Sequence, residues 1–553
     1  YYRAYRWATD RVGDHGIVAF VSNGGWIDGN TADGVRLSFA DEFAHLWIFN
    51  LRGNMRKPNW KEEGGQIFGA GSQTTIAILI GVKDVTHTGP ARIYYRNIGD
   101  YLDRAQKLRL LDASSIDSLN WDTISPNAHG DWIGQRDDTF GTWPAIGTKD
   151  PAGSRIFNRY SSGLKTGRDP WVYSWSRTQL DSQVDEIAAQ YRHCQILRGS
   201  TTPPTGSDDL LRQNPDVTGV GRISWNRSLR QRLDRGLDLI PDERSIRLGS
   251  YRPFAPQWVY FDVSTSDMIY RLPSMFPTPH HRNYGFVVMA PRDAADFAVQ
   301  ATASLPDLSY YTYTGQFFPR YTFERIDAAA GGEFDFGSPS DDPSVDEWGY
   351  RRVDNITDEI LDIYRTALNG SVTKDQIFWS VYGQLHVPAY RETYAADLKK
   401  MLPHIPTPES LERFTQLADA GKHLGALHMR YEDVDPYPLD VEIKAGVDEH
   451  DRETWRVQKM KWRNKSDHTA IVYNSKVTIT GIPPEAEEYM LGSRSALAWI
   501  IDRYQVKTDK PSGIVNDPNL WCDEHDDPTY IVELIKKVTT VAVDTMRIVG
   551  ELA

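Results

Sequence analysis

The sequence predicts an α/β fold that opens on one half of a nucleotide-binding-type sheet, and three short apolar runs carry that expectation. GIVAFVSN (Gly16 to Asn23), HLWIFNLRGN (His45 to Asn54) and TTIAILIGVK (Thr74 to Lys83) are rich in Val, Ile and Phe and bounded by Gly, Asn or charge. That is the composition of strands buried on both faces. Between the first two, Val35, Leu37, Phe39 and Phe43 occupy a segment long enough for one crossover helix, so a βαβ unit is expected there. The third run follows the Gly-rich IFGAGSQ (Ile67 to Gln73), and no helical pattern separates it from ARIYYRN (Ala91 to Asn97). Those two are expected to pair antiparallel at a sheet edge. The chain begins at Tyr1 rather than Met, and the sheet is expected to lack a first half encoded upstream.

Composition shifts divide the rest. GTKDPAGS (Gly147 to Ser154) reads as a Gly/Pro linker, after which Ser176 to Gln179 form a capping box ahead of Leu180, Val184, Ile187 and Tyr191, spaced as one helix face. Aromatic-rich, strand-like runs lie between Trp258 and Phe323, and Ala328 to Ser344 is the clearest linker. Helical spacing then returns at Ile360, Leu361, Tyr364 and Leu368, at Ile377, Phe378, Val381 and Leu385, and at Tyr390, Tyr394, Leu398 and Met401. Thr407 with Pro408 in the first turn predicts the start of one more helix. The expected domains are 1–155, 156–335 and a helical part, 336–553. No internal repeat or low-complexity tract is visible.

With 553 residues, 40% hydrophobic and 25% charged, two or three globular domains are the expectation. No apolar run approaches the ~18 residues a membrane span requires. Two cysteines, Cys194 and Cys522, make no disulfide framework and point to a reducing cytoplasm. The net charge of -13 argues against a nucleic-acid partner only superficially, because charge is unevenly distributed. From Arg192 to Arg252 the chain is locally arginine-rich, while acid concentrates in Asp335 to Glu347, Tyr431 to Glu442 and Cys522 to Asp527.

Several catalytic-looking motifs fail on their context. Phe68 to Gly71 has the glycines of a cofactor loop but precedes a strand instead of opening a helix. Glu442-Ile443-Lys444 imitates a metal-dependent nuclease motif and reads equally as an exposed alternating strand. CDEHDD (Cys522 to Asp527) places metal-ligand types too close in sequence to converge on one ion. Gly421-Lys422-His423 lacks the upstream glycine and the hydroxyl of a Walker loop, so no ATP site is expected. No metal site is expected either.

Longer blocks are more specific. RWATDRVGDHGIVAFVSNGGWIDG (Arg6 to Gly29), LWIFNLRGN and TTIAILIGVK resemble the part of a γ-type adenine DNA methyltransferase domain that follows its Asn-Pro-Pro-Tyr motif. SSGLKTGRDPWVYSWS (Ser161 to Ser176), SYRPFAPQWVYFD (Ser250 to Asp262), QFFPRYTF (Gln316 to Phe323), DQIFWSVYGQLHVPAYRETYAADLKKMLPHIP (Asp375 to Pro406) and SRSALAWIIDRYQVKTDKPSGIVNDP (Ser493 to Pro518) resemble the target-recognition region of the single-polypeptide Type ISP restriction-modification enzymes. The resemblance implies the distal half of a Rossmann-like AdoMet methyltransferase sheet, then an α+β target-recognition domain with a helical C-terminal part. It also implies duplex DNA as partner, S-adenosyl-L-methionine bound mainly by residues upstream, and an intact polypeptide that adds a nuclease and an ATPase using ATP and Mg²⁺.

Adenine methylation needs an aromatic ring to stack the flipped base and a carboxamide to accept from its amine. The only Pro-Pro pairs here, Pro203-Pro204 and Pro483-Pro484, lack those flanking groups, so no catalytic residue is expected in this chain. Asn23 and Trp26 are expected at the rim of that site, where a parallel strand ends; strand termination and core packing explain them as well. Lys165, Thr166 and Arg168, in a Gly-bounded loop, are candidate phosphate contacts, with a solvated turn as the alternative. Arg227, Arg230 and Arg235 lie opposite Trp225, Leu229 and Leu233 on a helix, as DNA contacts or as a solvated basic face. The function expected is DNA recognition with adenine-N6 methylation in a restriction system. A DNA-binding specificity module without catalysis, and a carbohydrate-active protein built on 17 Trp and 28 Tyr, are the alternatives.

Overall fold

The computed structural model describes the chain except residues 56–59, 69–70, 201–202, 292–295 and 327–341. The centre of the glycine-rich loop at Phe68 to Gly71, and most of the Ala328 to Ser344 linker, therefore lie outside the described residues. Two units are present: Tyr1–Thr142 with Pro291–Asp296 and Glu392–Pro403, and Trp143–Ala290 with Phe297–Arg391 and His404–Ala553.

The first unit is built on a five-stranded sheet. In chain order come α1 (Tyr2–Thr9), β1 (His15–Asn23), α2 (Asp33–Glu42), β2 (His45–Asn50), β3 (Ile76–Asp84), β4 (Arg92–Asn97), α3 (Arg104–Asp112) and β5 (Asp122–Ile124), with strand order β1-β3-β2-β4-β5. The three apolar runs are strands and α2 lies between the first two, as expected. Their pairing is not as expected. β1 and β2 are not neighbours, because β3 lies between them and runs antiparallel to both, from His15↔Asp84 to Asn23↔Ile76 and from His45↔Val82 to Asn50↔Ala77. With both edges of β3 occupied, β4 cannot pair with it and runs parallel to β2 instead. Gly81 permits this seating, since a Cβ there would stand 2.7 Å from the Phe43 ring.

Burial on both faces holds in part: Phe49 of β2 and Ile76 of β3 are buried with Ile67 and Ile98 on the second face, while the rest of that face is open. Val18, Leu79, Leu46, Ile48 and Ile93 pack beneath Tyr5 of α1 and Phe39 of α2. On the opposite face Ile17 is 66% and Val21 53% exposed, and Trp47, Ile80 and Tyr94 are only half-buried.

The second unit holds three four-stranded sheets with helices. Its elements include α4 (Arg177–Gly199), α5 (Ser207–Gln213), α6 (Arg227–Asp234), β6 (Ile246–Arg252), β7 (Ala255–Tyr260), β8 (Gly285–Met289), β9 (Val299–Thr302), β10 (Gly315–Pro319), α7 (Asp358–Leu368), α8 (Lys374–Gln384), α9 (Leu411–Met429), the hairpin β11 (Lys507–Thr508) and β12 (Val515–Asn516), and α10 (Tyr530–Glu551). One sheet runs β9, β8, β10 and Ser161–Ser162; a second runs Leu305–Pro306, β6, β7 and Tyr173–Ser174; a third runs Asp440–Ile443, Val477–Thr480, Ala470–Val472 and Lys461–Trp462. β8 is buried throughout.

Helix α4 buries Leu180, Val184, Ile187 and Tyr191, the face its spacing predicts. Its Ser176 cap accepts from Gln179 N, but the reciprocal half of the box is absent because the Gln179 carboxamide accepts from Ser174 Oγ. α7 and α8 also match their periodicity. The Tyr390 to Met401 spacing makes two short helices, Pro388–Thr393 and Ala395–Leu398. α9 starts later than Thr407 predicts: Ser410 Oγ accepts from Arg413 N and caps it. Gly421 serves packing, for a Cβ there would stand 1.9 Å from the Trp379 carbonyl of α8.

Candidate nucleic-acid interface

The Gly163 to Arg168 loop of the second unit is pinned along its backbone. Leu164 N donates to Pro306 O at 2.8 Å, Lys165 N to Met268 O at 3.0 Å, and Asp267 N to Thr166 O at 3.1 Å. Gly167 has a φ of +68°, open to glycine at little cost. Ser224 Oγ donates to Gly167 O at 3.2 Å, and Asn226 Nδ2 reaches Thr166 O at 3.5 Å. Asn226 also caps α6, accepting from Leu229 N at 3.0 Å. One asparagine thus ties the loop to the arginine-bearing helix.

The loop's three candidate side chains meet different environments. Lys165 is half-exposed and pairs with Asp267 at 2.7 Å, whose hydrogen bond and charge raise its pKa. Thr166 is buried, and its hydroxyl donates to the Asp169 carboxylate. Arg168 is 3% exposed, and none of its three guanidinium nitrogens has a hydrogen-bond partner. Burial pushes its pKa down to about 10, against the opposing charge of Asp267. Arg36 in the first unit shows the usual solution for a buried arginine: it donates to Gly130 O, Trp26 O, Gly29 O and Asp131.

Along α6, Leu229 and Leu233 are fully buried and Trp225 precedes them in the core, leaving the arginines outward. Arg230 pairs with Asp208 at 2.9 Å. Arg227 and Arg235 are exposed and have no ion pair among the described residues. Sequence reasoning missed the β11/β12 hairpin, whose turn reaches the same surface: Gly221 N donates to Pro511 O at 2.9 Å. The hairpin carries exposed Lys507 and Lys510 beside exposed Arg222. Their separation in sequence hides that juxtaposition, and only the Ser493 to Pro518 block hinted at it.

Asn23 and Trp26 lie in the first unit. The Asn23 carboxamide donates to Thr74 Oγ1 at 2.8 Å and accepts from Gly25 N at 2.9 Å. Trp26 is fully buried among Tyr5, Phe39 and Trp132. Both side chains are engaged internally, so the described residues do not fit an AdoMet site by themselves, and no step is derived through that group. The CDEHDD carboxylates are likewise in use: Asp523 pairs with Arg456 at 3.1 Å, Asp526 with Arg452 at 2.6 Å, and Glu524 accepts from Arg177 N at the start of α4 at 2.9 Å. Glu442 lies on the strand Asp440–Ile443, where exposure alternates. Among the described residues no group of three or more His, Cys, Asp or Glu is arranged around a metal position. None of their helices is long and apolar enough to cross a membrane.

Solved structures of restriction-modification enzymes share this fold. The chain is similar to a nuclease-deletion mutant of the Type ISP enzyme LlaGI in complex with a DNA substrate mimic, at 34% identity and a TM-score of 0.81, over 100% of this chain and 40% of that one. It is similar to the ATP-dependent Type ISP enzyme LlaBIII bound to DNA, at 32% identity and a TM-score of 0.82, over 100% and 33% of the two chains. It is also similar to DrdV in a DNA complex, at 29% identity and a TM-score of 0.80, over 99% and 52%. The chain therefore spans a third to about half of these relatives. Residues 155–534 match the model of the Type ISP C-terminal specificity domain, and the chain belongs to that family. No curated protein matches it.

Proposed function

We propose that this chain reads DNA sequence for a Type ISP restriction-modification enzyme. Residues 156–335 and 336–553 form its target-recognition region, and residues 1–155 the distal half of an AdoMet-dependent adenine-N6 methyltransferase domain acting in the cytoplasm. One observation carries the reading: the specificity-family match over 155–534 coincides with a fold shared, along essentially the whole chain, with enzymes solved on DNA. Lys165, Arg227, Arg230 and Arg235 then face the phosphodiester backbone, which fixes register without reading bases, while Thr166 and Arg168 lie buried behind Lys165 in the same loop and reach a phosphate only if DNA draws them out. Local basicity on this surface offsets the net charge of -13.

The sheet supports the methyltransferase half. β1 and β2 run in one direction with α2 between them, and Asn23 and Trp26 stand at the carboxyl end of β1, the edge where open α/β sheets take ligands. The carboxamide and aromatic ring for the target base come from the family's Asn-Pro-Pro-Tyr motif, which this chain lacks. ATP and Mg²⁺ belong to the nuclease and translocation functions of the intact enzyme.

Fluorescence anisotropy with labelled duplex over a salt series tests the reading. Log affinity is expected to fall linearly with log salt, and the chain alone is expected to transfer no methyl group. Salt-independent binding, or tighter binding to oligosaccharides than to duplex, overturns it. Methyl transfer by the isolated chain overturns the assignment of catalysis elsewhere.

A further inference from the structure

A cavity of about 260 Å³ opens in the second unit beside the Gly163 to Arg168 loop. Its walls include Gln183 of α4, Gln257 of β7, Tyr251 of β6, and Arg503 and Lys507. Gln183 is 8% exposed and its Oε1 has no hydrogen-bond partner. Gln257, 3% exposed, brings a second carboxamide to the same cavity wall. A buried polar group without a partner is costly, and two carboxamides at one cavity form a donor and acceptor set awaiting a ligand.

The chemistry of that set is specific. A carboxamide offers one donor and one acceptor side by side, the pattern that matches the edge of a nucleobase. Tyr251 adds an aromatic wall, its ring backed by Tyr173 at 4.6 Å, and bases stack on such rings. Arg503 and Lys507 bring two cations to the same cavity, with Asp502 within ion-pair reach of both; partial burial and repulsion from Arg503 lower the Lys507 pKa against the pull of Asp502, a condition an arriving phosphate relieves. The volume lies just under the range of about 300–1,000 Å³ typical of drug-sized ligands, so it suits one nucleotide. The cavity adjoins the loop through Asp169, whose carboxylate accepts from both Thr166 Oγ1 and Tyr251 Oη.

We propose that this cavity receives a single nucleotide, with its base against Gln183 and Gln257 and its phosphate toward Arg503 and Lys507. Its source is an extrahelical nucleotide of bound DNA, which rests on the reading above, or a free mononucleotide, which does not.

The test compares a paired duplex with duplexes carrying one bulged A, C, G or T, with dAMP, dCMP, dGMP and TMP titrated separately. A bulge has already lost its stacking, so at least one bulged base is expected to bind about tenfold tighter than the paired duplex. Gln183→Met and Gln257→Met keep the side-chain length and remove the amide; they are expected to abolish that preference and leave paired-duplex affinity unchanged. Lys507→Ala, at an exposed position that leaves the fold intact, is expected to weaken the bulged complex several-fold more than the paired one. Equal binding of bulged and paired duplexes, without mononucleotide binding, overturns the proposal and leaves the DNA reading standing. A bulge preference that survives all three variants also overturns it. Gln257-dependent binding of a mononucleotide by a chain that binds no duplex supports the nucleotide site and overturns the DNA reading.

Discussion

The two units are incomplete in opposite ways. In the first, the sheet buries one face under α1 and α2 and one end of the other face around Phe49 and Ile76, leaving Ile17 66% and Val21 53% exposed beyond it, while Lys107 within it is hydrogen-bonded. Lys107, fully buried, donates to Leu51 O and Glu63 O, and burial lowers its pKa to about 8. Both units keep single buried polar atoms without partners, Arg52 Nε and Gln66 Oε1 in the first and Gln183 Oε1 in the second, but in the second, where β8 is buried along its length, the whole guanidinium of Arg168 lacks one. An open apolar sheet face calls for more protein, since sheets with parallel pairs are ordinarily covered on both sides. Open polar atoms call for a polar ligand.

The contrast breaks most readily in the cores. Phe286 of β8 packs against the rings of Phe157, Phe318, Phe378 and Tyr382. Phe286→Ala is expected to cost about 3–5 kcal/mol in denaturant unfolding. Ile17→Thr and Val21→Thr, on the bare face, are expected to stay within about 0.5 kcal/mol. Equal losses at the two sites would show that the face of β1 is covered in the free chain.

Acid acts on the second unit through His428. Its Nδ1 meets Tyr382 Oη at 2.6 Å and its Nε2 meets Thr545 Oγ1 at 3.0 Å. Burial lowers its pKa from 6.5 to about 3, and His386 shifts the same way. Between those limits the unfolded state binds the extra proton, so stability falls as pH drops through that window. His428 alone is expected to remove about 2 kcal/mol between pH 8 and pH 5. Denaturant midpoints across pH check this, and His428→Gln is expected to flatten the slope.

A smaller effect concerns the start of α4. Glu524 accepts from the backbone of Arg177 and Thr178 and from Ser176 Oγ, adding a remote carboxylate to the local serine cap. Glu524→Ala is expected to cost about 1 kcal/mol. No measurable change would leave Ser176 as a sufficient cap.

What was legible in the sequence was local. Helix faces at Leu180 to Tyr191 and Ile360 to Leu368 followed from spacing, and the strand runs from composition. Pairing was not legible, because nothing in TTIAILIGVK says that both its edges will be taken, by β1 and β2. Exposure misled as well: a glycine-bounded loop with Lys165 and Arg168 reads as solvated, yet Met268, Ser224 and Asn226 pin it and Arg168 is buried. The Gln183, Gln257 and Lys507 cavity draws on three distant segments, each unremarkable alone. Longer blocks carried the family because their residues are specific together.

The smallest expected change in stability separates Lys165 from Arg168. Lys165 is half-exposed and paired with Asp267, and such surface pairs contribute about 0–1 kcal/mol, so Lys165→Ala is expected to leave unfolding almost unaltered. On DNA it is expected to weaken all duplexes alike and to reduce the slope of log affinity against log salt by about one unit, the signature of one phosphate contact. Arg168 is buried without a partner, and replacing such a charge by an apolar side chain of similar length is neutral or stabilising. Arg168→Met is therefore expected to raise the Tm or leave it unchanged, and to flatten the salt slope as Lys165→Ala does only if DNA draws the guanidinium out of its burial. A lowered Tm with an unchanged slope would make Arg168 part of the loop's support, leaving Lys165 as the loop's cation on the phosphates.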